Sequence, residues 1–193
     1  MEADWQIEIG GDAPVIEACW SGFVDLRRFP TSVRRLPEIR ELPGLAEALK
    51  RLNATSSPMW TSKCDVWGEI GRDEFDPDEL DAPPGTELHA MACYIDLLPK
   101  SDEHWTAGEM AIAACKSICA RLQAIGLRCC RVDLVIRRVL IAAEVDELGV
   151  TAYLIACGPS ADQAKEVLSS ALDALADAVA PVAAPEKAVQ KLQ

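Results

Sequence analysis

Residues 128–158, RCCRVDLVIRRVLIAAEVDELGVTAYLIACG, hold two strongly apolar segments separated by a short acidic one. The first segment alternates, and its predicted apolar face consists of Cys130, Val132, Leu134 and Ile136. The second, residues 150–158, is apolar on both faces, which is typical of a strand inside a sheet. The stretch therefore predicts two long strands joined by a turn. Arg137 and Arg138 interrupt the alternation, so we expect a bulge or a bend there.

The sequences on either side add helices and a further strand. A helix is predicted to begin at Pro159 or Ser160, and the Ala/Pro/Lys-rich residues 181–193 follow it as a flexible tail. Upstream, residues 86–99 (TELHAMACYIDLLP) are apolar on both faces and predict a central strand. Residues 101–126 then predict a helix that Gly126 ends.

The N-terminal third repeats this order of elements. Residues 5–26 alternate around a Gly-Gly-Asp turn and predict a hairpin. A helix beginning near Pro43 follows, with apolar residues at helical spacing. Residues 59–70 (MWTSKCDVWGEI) predict the next strand.

These elements predict an α+β fold, with helices packed on one face of an antiparallel or mixed sheet. The order from residue 15 to about 142 is strand-helix-strand-strand-helix-strand, which indicates a ferredoxin-like split βαβ core with added strands and a C-terminal helix. The alternative is a set of hairpin-plus-helix modules around a common core. We expect residues 1–180 to form a single domain and 181–193 to be its tail.

Charge narrows the classes of partner. The chain has 193 residues, a formal net charge of -12 and an isoelectric point near 4.6. Such a chain is repelled by nucleic acid and by anionic membranes, whereas a basic protein partner is compatible with it. It has neither an apparent signal peptide nor an apolar run of ~20 residues. We therefore expect a cytoplasmic protein whose eight cysteines are mostly reduced.

Motifs for metals, cofactors and catalysis are weak. Cys115 and Cys119 lie within an apolar helical stripe, where cysteine acts as a small hydrophobic residue. Cys129 and Cys130 are neighbours and would point to opposite faces of a strand. We therefore predict no metal and no cofactor. No catalytic motif is recognised, and enzymatic activity is left open.

Residues 59–70 suggest the best candidate site. Period two predicts one face formed by Trp60, Ser62, Cys64, Val66 and Ile70. The other face carries Lys63, Asp65 and Trp67, and a large aromatic beside two charges on an open sheet face is suited to a ligand or partner. Asp96 and Arg137, from other strands, complete the predicted site. The structural alternative is an indole packed over the stem of Lys63.

Three functional hypotheses follow. The first is a cytoplasmic binding or interaction protein with an acidic surface, such as an immunity or antitoxin-like partner of a basic protein. The second is a small enzyme or small-molecule-binding domain that uses the open face of the sheet. The third is a structural subunit that forms a homo-oligomer through its strands. A concave pocket lined by the predicted residues favours the second hypothesis, and a flat solvated sheet opposes it.

Overall fold

The computed structural model describes residues 1–71, 74–84, 87–100, 105, 108–141 and 145–181. Within these ranges the chain is α+β, with six strands, four α-helices and a 3-10 helix at Pro30–Arg35. The strands are β1 (Glu2–Glu8), β2 (Ile16–Ala18), β3 (Met59–Ile70), β4 (His89–Pro99), β5 (Cys130–Ile141) and β6 (Val145–Gly158). The helices are α1 (Glu38–Glu41), α2 (Gly44–Leu52), α3 (Gly108–Gln123) and α4 (Ala161–Val179).

All six strands form one mixed sheet. Its order is β1-β5-β6-β4-β3, and β2 also pairs with β5, further along the edge that β1 occupies. β1 and β2 run parallel to β5, whereas the other neighbours are antiparallel. The prediction that β4 is an interior strand is confirmed, since β6 and β3 lie on either side of it.

The predicted N-terminal hairpin is wrong. β1 and β2 do not pair with each other, because each lies against a different part of β5. The second predicted strand is also much shorter than its alternating pattern suggests. Cys19 and Gly22 both have positive φ values, 58° and 93°, which are incompatible with an extended strand.

The predicted ferredoxin-like core is not confirmed. That arrangement would place the strand predicted within residues 15–26 between β5 and β4, and β6 lies there instead. Of these two segments, only β6 is long and apolar enough to pair along both of its edges. β4 and β5 consequently run in the same direction on either side of β6, and α3 joins them.

Helices α2, α3 and α4 cover one face of the sheet, here called the helix face. The main core lies there and contains even-numbered residues of β5 and β6 and odd-numbered residues of β4. α2 and α4 approach closely, since a Cβ at Gly44 would lie 2.5 Å from Ser169 Oγ. Two end signals are confirmed: Pro43 precedes α2, and the Ser160 hydroxyl accepts a hydrogen bond from the Gln163 N–H at the start of α4.

Two other sequence predictions have different outcomes. Of the bulge or bend expected at Arg137 and Arg138, the bulge is wrong, because β5 and β6 pair without a register shift along all of β5. An arginine fits the regular ladder there because the Glu8 carboxylate neutralises Arg137.

The helix predicted from residue 101 is described from Gly108, and its predicted Ser101 cap lies outside the described residues, as does the tail beyond residue 181. No helix in the described part of the chain has the length and apolar character needed to cross a membrane.

Candidate ligand site on the open face of the sheet

Two irregularities in β3 decide which side chains reach the face opposite the helices, here called the open face. Between Thr61 and Cys64, three steps along β3 match only two steps along β4, so one extra residue is inserted. The same shift recurs between Trp67 and Ile70. Each extra residue reverses the orientation of the side chains that follow it.

The predicted faces of β3 are therefore partly wrong. Cys64 and Val66 pack against the main core, but Trp60 and Ile70 belong to two separate apolar clusters on the open face. Trp67 is also on the open face and is 42% exposed. A sequence pattern of strict period two cannot reveal such insertions, since each one shifts the pattern by a single residue.

One end of the open face is covered by β2 and the residues that follow it. Ile16 and Ala18 bury Trp60, whose indole N–H donates to the Pro99 carbonyl at 3.1 Å. The Ser62 hydroxyl of β3 donates to the Glu17 carbonyl at 2.9 Å. β2 thus pairs with β5 and also reaches β3, the last strand of the sheet order, so the sheet curls around its open face here.

The other end of the open face is covered by residues of the acidic segment between β3 and β4, within the described range 74–84. Leu80 is buried there against Ala90 and Cys157. Asp81 and Glu79 pair with Arg128 and Arg131 at 2.7 and 3.3 Å. This acidic segment therefore contacts the end of the sheet.

Between these two covers lies a polar area, here called the central strip. It consists of Lys63, Asp65, Trp67, Tyr94, Asp96, Thr151, Tyr153, Arg131, Asp133, Arg137, Asp4, Gln6 and Glu8. Four of the five predicted site residues, Lys63, Trp67, Asp96 and Arg137, line one cavity of about 340 Å³ on this strip. Asp65 is not in that lining, and its carboxylate accepts a hydrogen bond from the Val66 N–H at 2.8 Å.

A hydrogen-bonded chain crosses the strip from β1 to β4. The Arg137 guanidinium donates to Glu8 at 2.7 Å and to the Tyr153 hydroxyl at 2.8 Å. It also lies 3.4 Å from the Thr151 hydroxyl, which donates to the Asp96 carboxylate at 2.7 Å. The Arg137 side chain is only 11% exposed, so these contacts fix it and orient its neighbours.

Asp96 is an acidic group in a poorly solvated position, with an exposed fraction of 5%. Burial raises its pKa above the ordinary value, while the Thr151 hydrogen bond and the charges of Arg137 and Lys63 act in the opposite direction. Burial also raises the pKa of Tyr94 to about 12, aided by the negative charge of Asp96. The Tyr94 phenol is therefore protonated at neutral pH.

Aromatic rings line the strip in a row. The rings of Trp67 and Tyr94 are 5.7 Å apart, and those of Tyr94 and Tyr153 are 6.0 Å apart. The Arg137 guanidinium lies 5.4 Å from the Tyr153 ring. Sequence reasoning missed Tyr94 and Tyr153, although each has a usable signal: Tyr94 is two residues from Asp96, and Tyr153 is two from Thr151 in an apolar strand.

A second hollow, of about 420 Å³, continues the strip over β1 and β5 and shares Arg137 and Tyr153 with the first. Its charges are largely paired, since Arg131 contacts Asp133 at 2.9 Å. At the opposite side of the strip, Lys63 lies 3.5 Å from Glu17 and 5.6 Å from the Trp20 ring. The structural alternative placed the Trp67 indole over the stem of Lys63, but the Lys63 ammonium lies beside the Trp20 ring instead.

The cysteines are free and mostly buried. Burial raises the pKa of Cys115 to about 12 and that of Cys119 to about 11, so both remain thiols in the core. Within the described ranges, no group of three or more His, Cys, Asp and Glu residues is arranged to hold a metal ion. His89 is exposed, and His104 lies outside the described residues.

Comparisons with known proteins add no family. A scan of family models, a search of curated proteins and a search of solved structures each found no significant match to this chain. Any functional argument must therefore come from the site itself.

Proposed function

We propose that this chain is a small-molecule-binding domain whose ligand occupies the central strip, in the cavity of about 340 Å³. The observation that carries the proposal is the convergence on one concave surface of a poorly solvated carboxylate, Asp96, a fixed guanidinium, Arg137, and an exposed indole, Trp67. The volume lies within the range of roughly 300–1,000 Å³ typical of such sites.

The lining favours a ligand with a planar body and a hydrogen-bond donor. Trp67 and Tyr94 offer a stacking surface, while Asp96 offers a carboxylate acceptor that, among the residues the structure describes, takes a side-chain hydrogen bond from Thr151 alone. Arg137 is already bonded to Glu8 and Tyr153, so it serves mainly to hold the site in place.

Charge further restricts the ligand class. The strip contains five carboxylates, Asp4, Glu8, Asp65, Asp96 and Asp133, against three cations, Lys63, Arg131 and Arg137. A neutral or cationic molecule is therefore favoured over an anion.

Native mass spectrometry of protein purified gently from its own host tests this proposal. We expect a bound small molecule in the wild type and at least ~5-fold lower affinity for it in Trp67→Ala and Asp96→Asn, because stacking and a buried hydrogen bond are each worth about 1 kcal/mol or more. Met110→Ala is the control, because Met110 is an exposed apolar residue on α3, on the other side of the sheet. Equal occupancy in all four proteins, or a bare chain in the wild type, contradicts the proposal.

A basic protein partner is the second candidate. The net charge of -12 supports it, as do the exposed apolar side chains of Val15, Trp20, Trp67 and Leu140. An immunity or antitoxin-like role is one form of this candidate. Co-purification of a basic protein that is released by salt and by Trp67→Ala would favour it over a small ligand. A homo-oligomer would appear in the native mass spectra as a multiple of the chain mass. The cytoplasmic location stays a prediction from the sequence.

A further inference from the structure

We infer a second ligand site, at the bulged edge of β3, that binds a primary amine carried on an apolar body. The site is a cavity of about 590 Å³, larger than either hollow of the central strip. The inference does not depend on the function proposed above, because the group that would receive the amine, Glu38, is not part of the strip.

The cavity arises from the first irregularity of β3. β3 is the last strand in the sheet order, and its inserted residue lies between Thr61 and Cys64. The connection that follows β2 passes around this edge: Phe23 packs on the open face, while Leu26 packs in the main core. The bulge and the passing connection enclose the cavity between them.

One wall carries an acceptor that lacks a donor. Glu38 is the first residue of α1, and its Oε2 atom is buried without a hydrogen-bond partner among the residues that the structure describes. A carboxylate oxygen removed from water retains its need for a donor. An ammonium group of a ligand would supply both the N–H donor and the opposite charge.

The cations nearby leave this acceptor available. Lys63 lines the cavity, but its ammonium contacts Glu17 and the face of Trp20. Arg35, the other cationic residue of the lining, is exposed. Cys64 is a neutral neighbour, because burial and the charge of Glu38 raise the pKa of its thiol to about 12.

The remaining walls suit an apolar body. They include the side chains of Val24, Leu26, Leu36 and Leu49. A charged head and an apolar body are thus matched by different parts of one cavity, which favours an arylalkylamine or a branched alkylamine over an inorganic cation or a sugar.

Titration with phenethylamine, followed through backbone amide NMR signals, tests the inference. We expect saturable shifts centred on Ser62, Cys64 and Val24, with a dissociation constant on the order of 1 mM for so small a probe. The neutral analogue 2-phenylethanol should bind at least ~10-fold more weakly, because it lacks the charge that Glu38 would neutralise.

Two variants locate the interaction. Glu38→Gln should weaken phenethylamine binding at least ~10-fold, while Glu41→Gln, an exposed glutamate on the same helix, should leave it unchanged. Leu36→Phe narrows the cavity without changing its charge and should also lower the affinity, which keeps the test decisive if Glu38→Gln folds poorly. Equal affinity in Glu38→Gln and the wild type overturns the inference, as does equal binding of the alcohol.

Asp96→Asn separates this site from the central strip. Binding of phenethylamine at the edge cavity should survive Asp96→Asn, since Asp96 does not line that cavity. If the amine instead shifts the Trp67 indole signal, and Asp96→Asn abolishes binding while Glu38→Gln does not, the edge site is refuted and the strip site is supported.

Discussion

The two faces of this sheet are built from alternating residues of the same strands, yet they differ in almost every physical respect. On β6, Leu154 is 1% exposed within the main core, whereas its neighbour Tyr153 lies on the central strip and contacts Arg137. The helix face is closed by apolar side chains, and the open face keeps a polar area between two apolar covers. The difference indicates that the helix face supplies most of the folding free energy.

The largest expected effect tests the helix face. Leu154→Ala should lower the free energy of unfolding by about 2–5 kcal/mol, because it removes buried methyl groups and leaves a cavity under α4. Urea denaturation followed by circular dichroism measures this change. Leu140→Ala is the control: Leu140 is 39% exposed on β5, and its loss should change stability by less than about 0.5 kcal/mol. Both residues lie on the side of the sheet that faces the helices, so similar costs for the two variants would contradict the claim that burial under the helices is what stabilises the fold.

A smaller effect is expected for the hydrogen-bonded chain on the open face. Arg137→Met should lower the free energy of unfolding by roughly 2 kcal/mol, because Glu8 loses its cationic partner and Tyr153 loses a donor. The same denaturation experiment applies. Lys50→Met removes a surface contact to Glu47 and should stay within about 0.5 kcal/mol of the wild type. An Arg137 variant as stable as Lys50→Met would show that the hydrogen-bonded chain between Glu8 and Asp96 does not stabilise the fold.

Asp96→Asn should have the opposite sign at neutral pH. Because burial raises the folded-state pKa of Asp96, its ionised form lowers stability in a way that asparagine does not. The wild type loses this stability as pH rises from the ordinary carboxyl pKa through the raised one. The variant should therefore be the more stable protein at pH 7, and the difference should shrink as the pH falls toward 4. Thermal unfolding at a series of pH values checks both the sign and the trend.

The smallest expected stability change is that of Trp67→Ala, below about 1 kcal/mol, since the indole is largely solvated and loses mainly its contact with Tyr94. Trp60→Ala provides the comparison on the same strand and the same face. Trp60 is 5% exposed and buried under β2, so its loss should be several times more costly. If both substitutions cost the same, Trp67 has a structural role and its value as a binding residue falls.

Sequence reasoning reached the class of the fold, the interior position of β4 and five of the thirteen residues of the strip. Local signals were sufficient there: Pro43 and Ser160 mark helix starts, and Asp96 and Arg137 fall on one face by simple alternation. The failures all depend on long-range pairing. The parallel pairing of β1 and β2 with β5, and the insertion of β6 between β5 and β4, leave no local trace.

The two insertions in β3 are the most consequential failure, because they change the composition of the site. They place Trp60 and Ile70 on the open face, where they take part in its two covers, and they form the edge cavity beside Cys64. An edge strand tolerates such insertions because it has to match only one neighbour.

The most direct test of the central claim is a set of indole N–H spectra recorded while a small-molecule extract of the host is added. The chain has five tryptophans, and two of them lie on the open face. Trp67 is exposed on the central strip, whereas Trp60 is buried under β2. We expect the Trp67 signal to shift saturably, while the Trp60 signal stays in place because the Trp60 indole N–H is hydrogen-bonded to the Pro99 carbonyl. An unchanged Trp67 signal at every concentration would contradict the claim that the open face of the sheet is a ligand site.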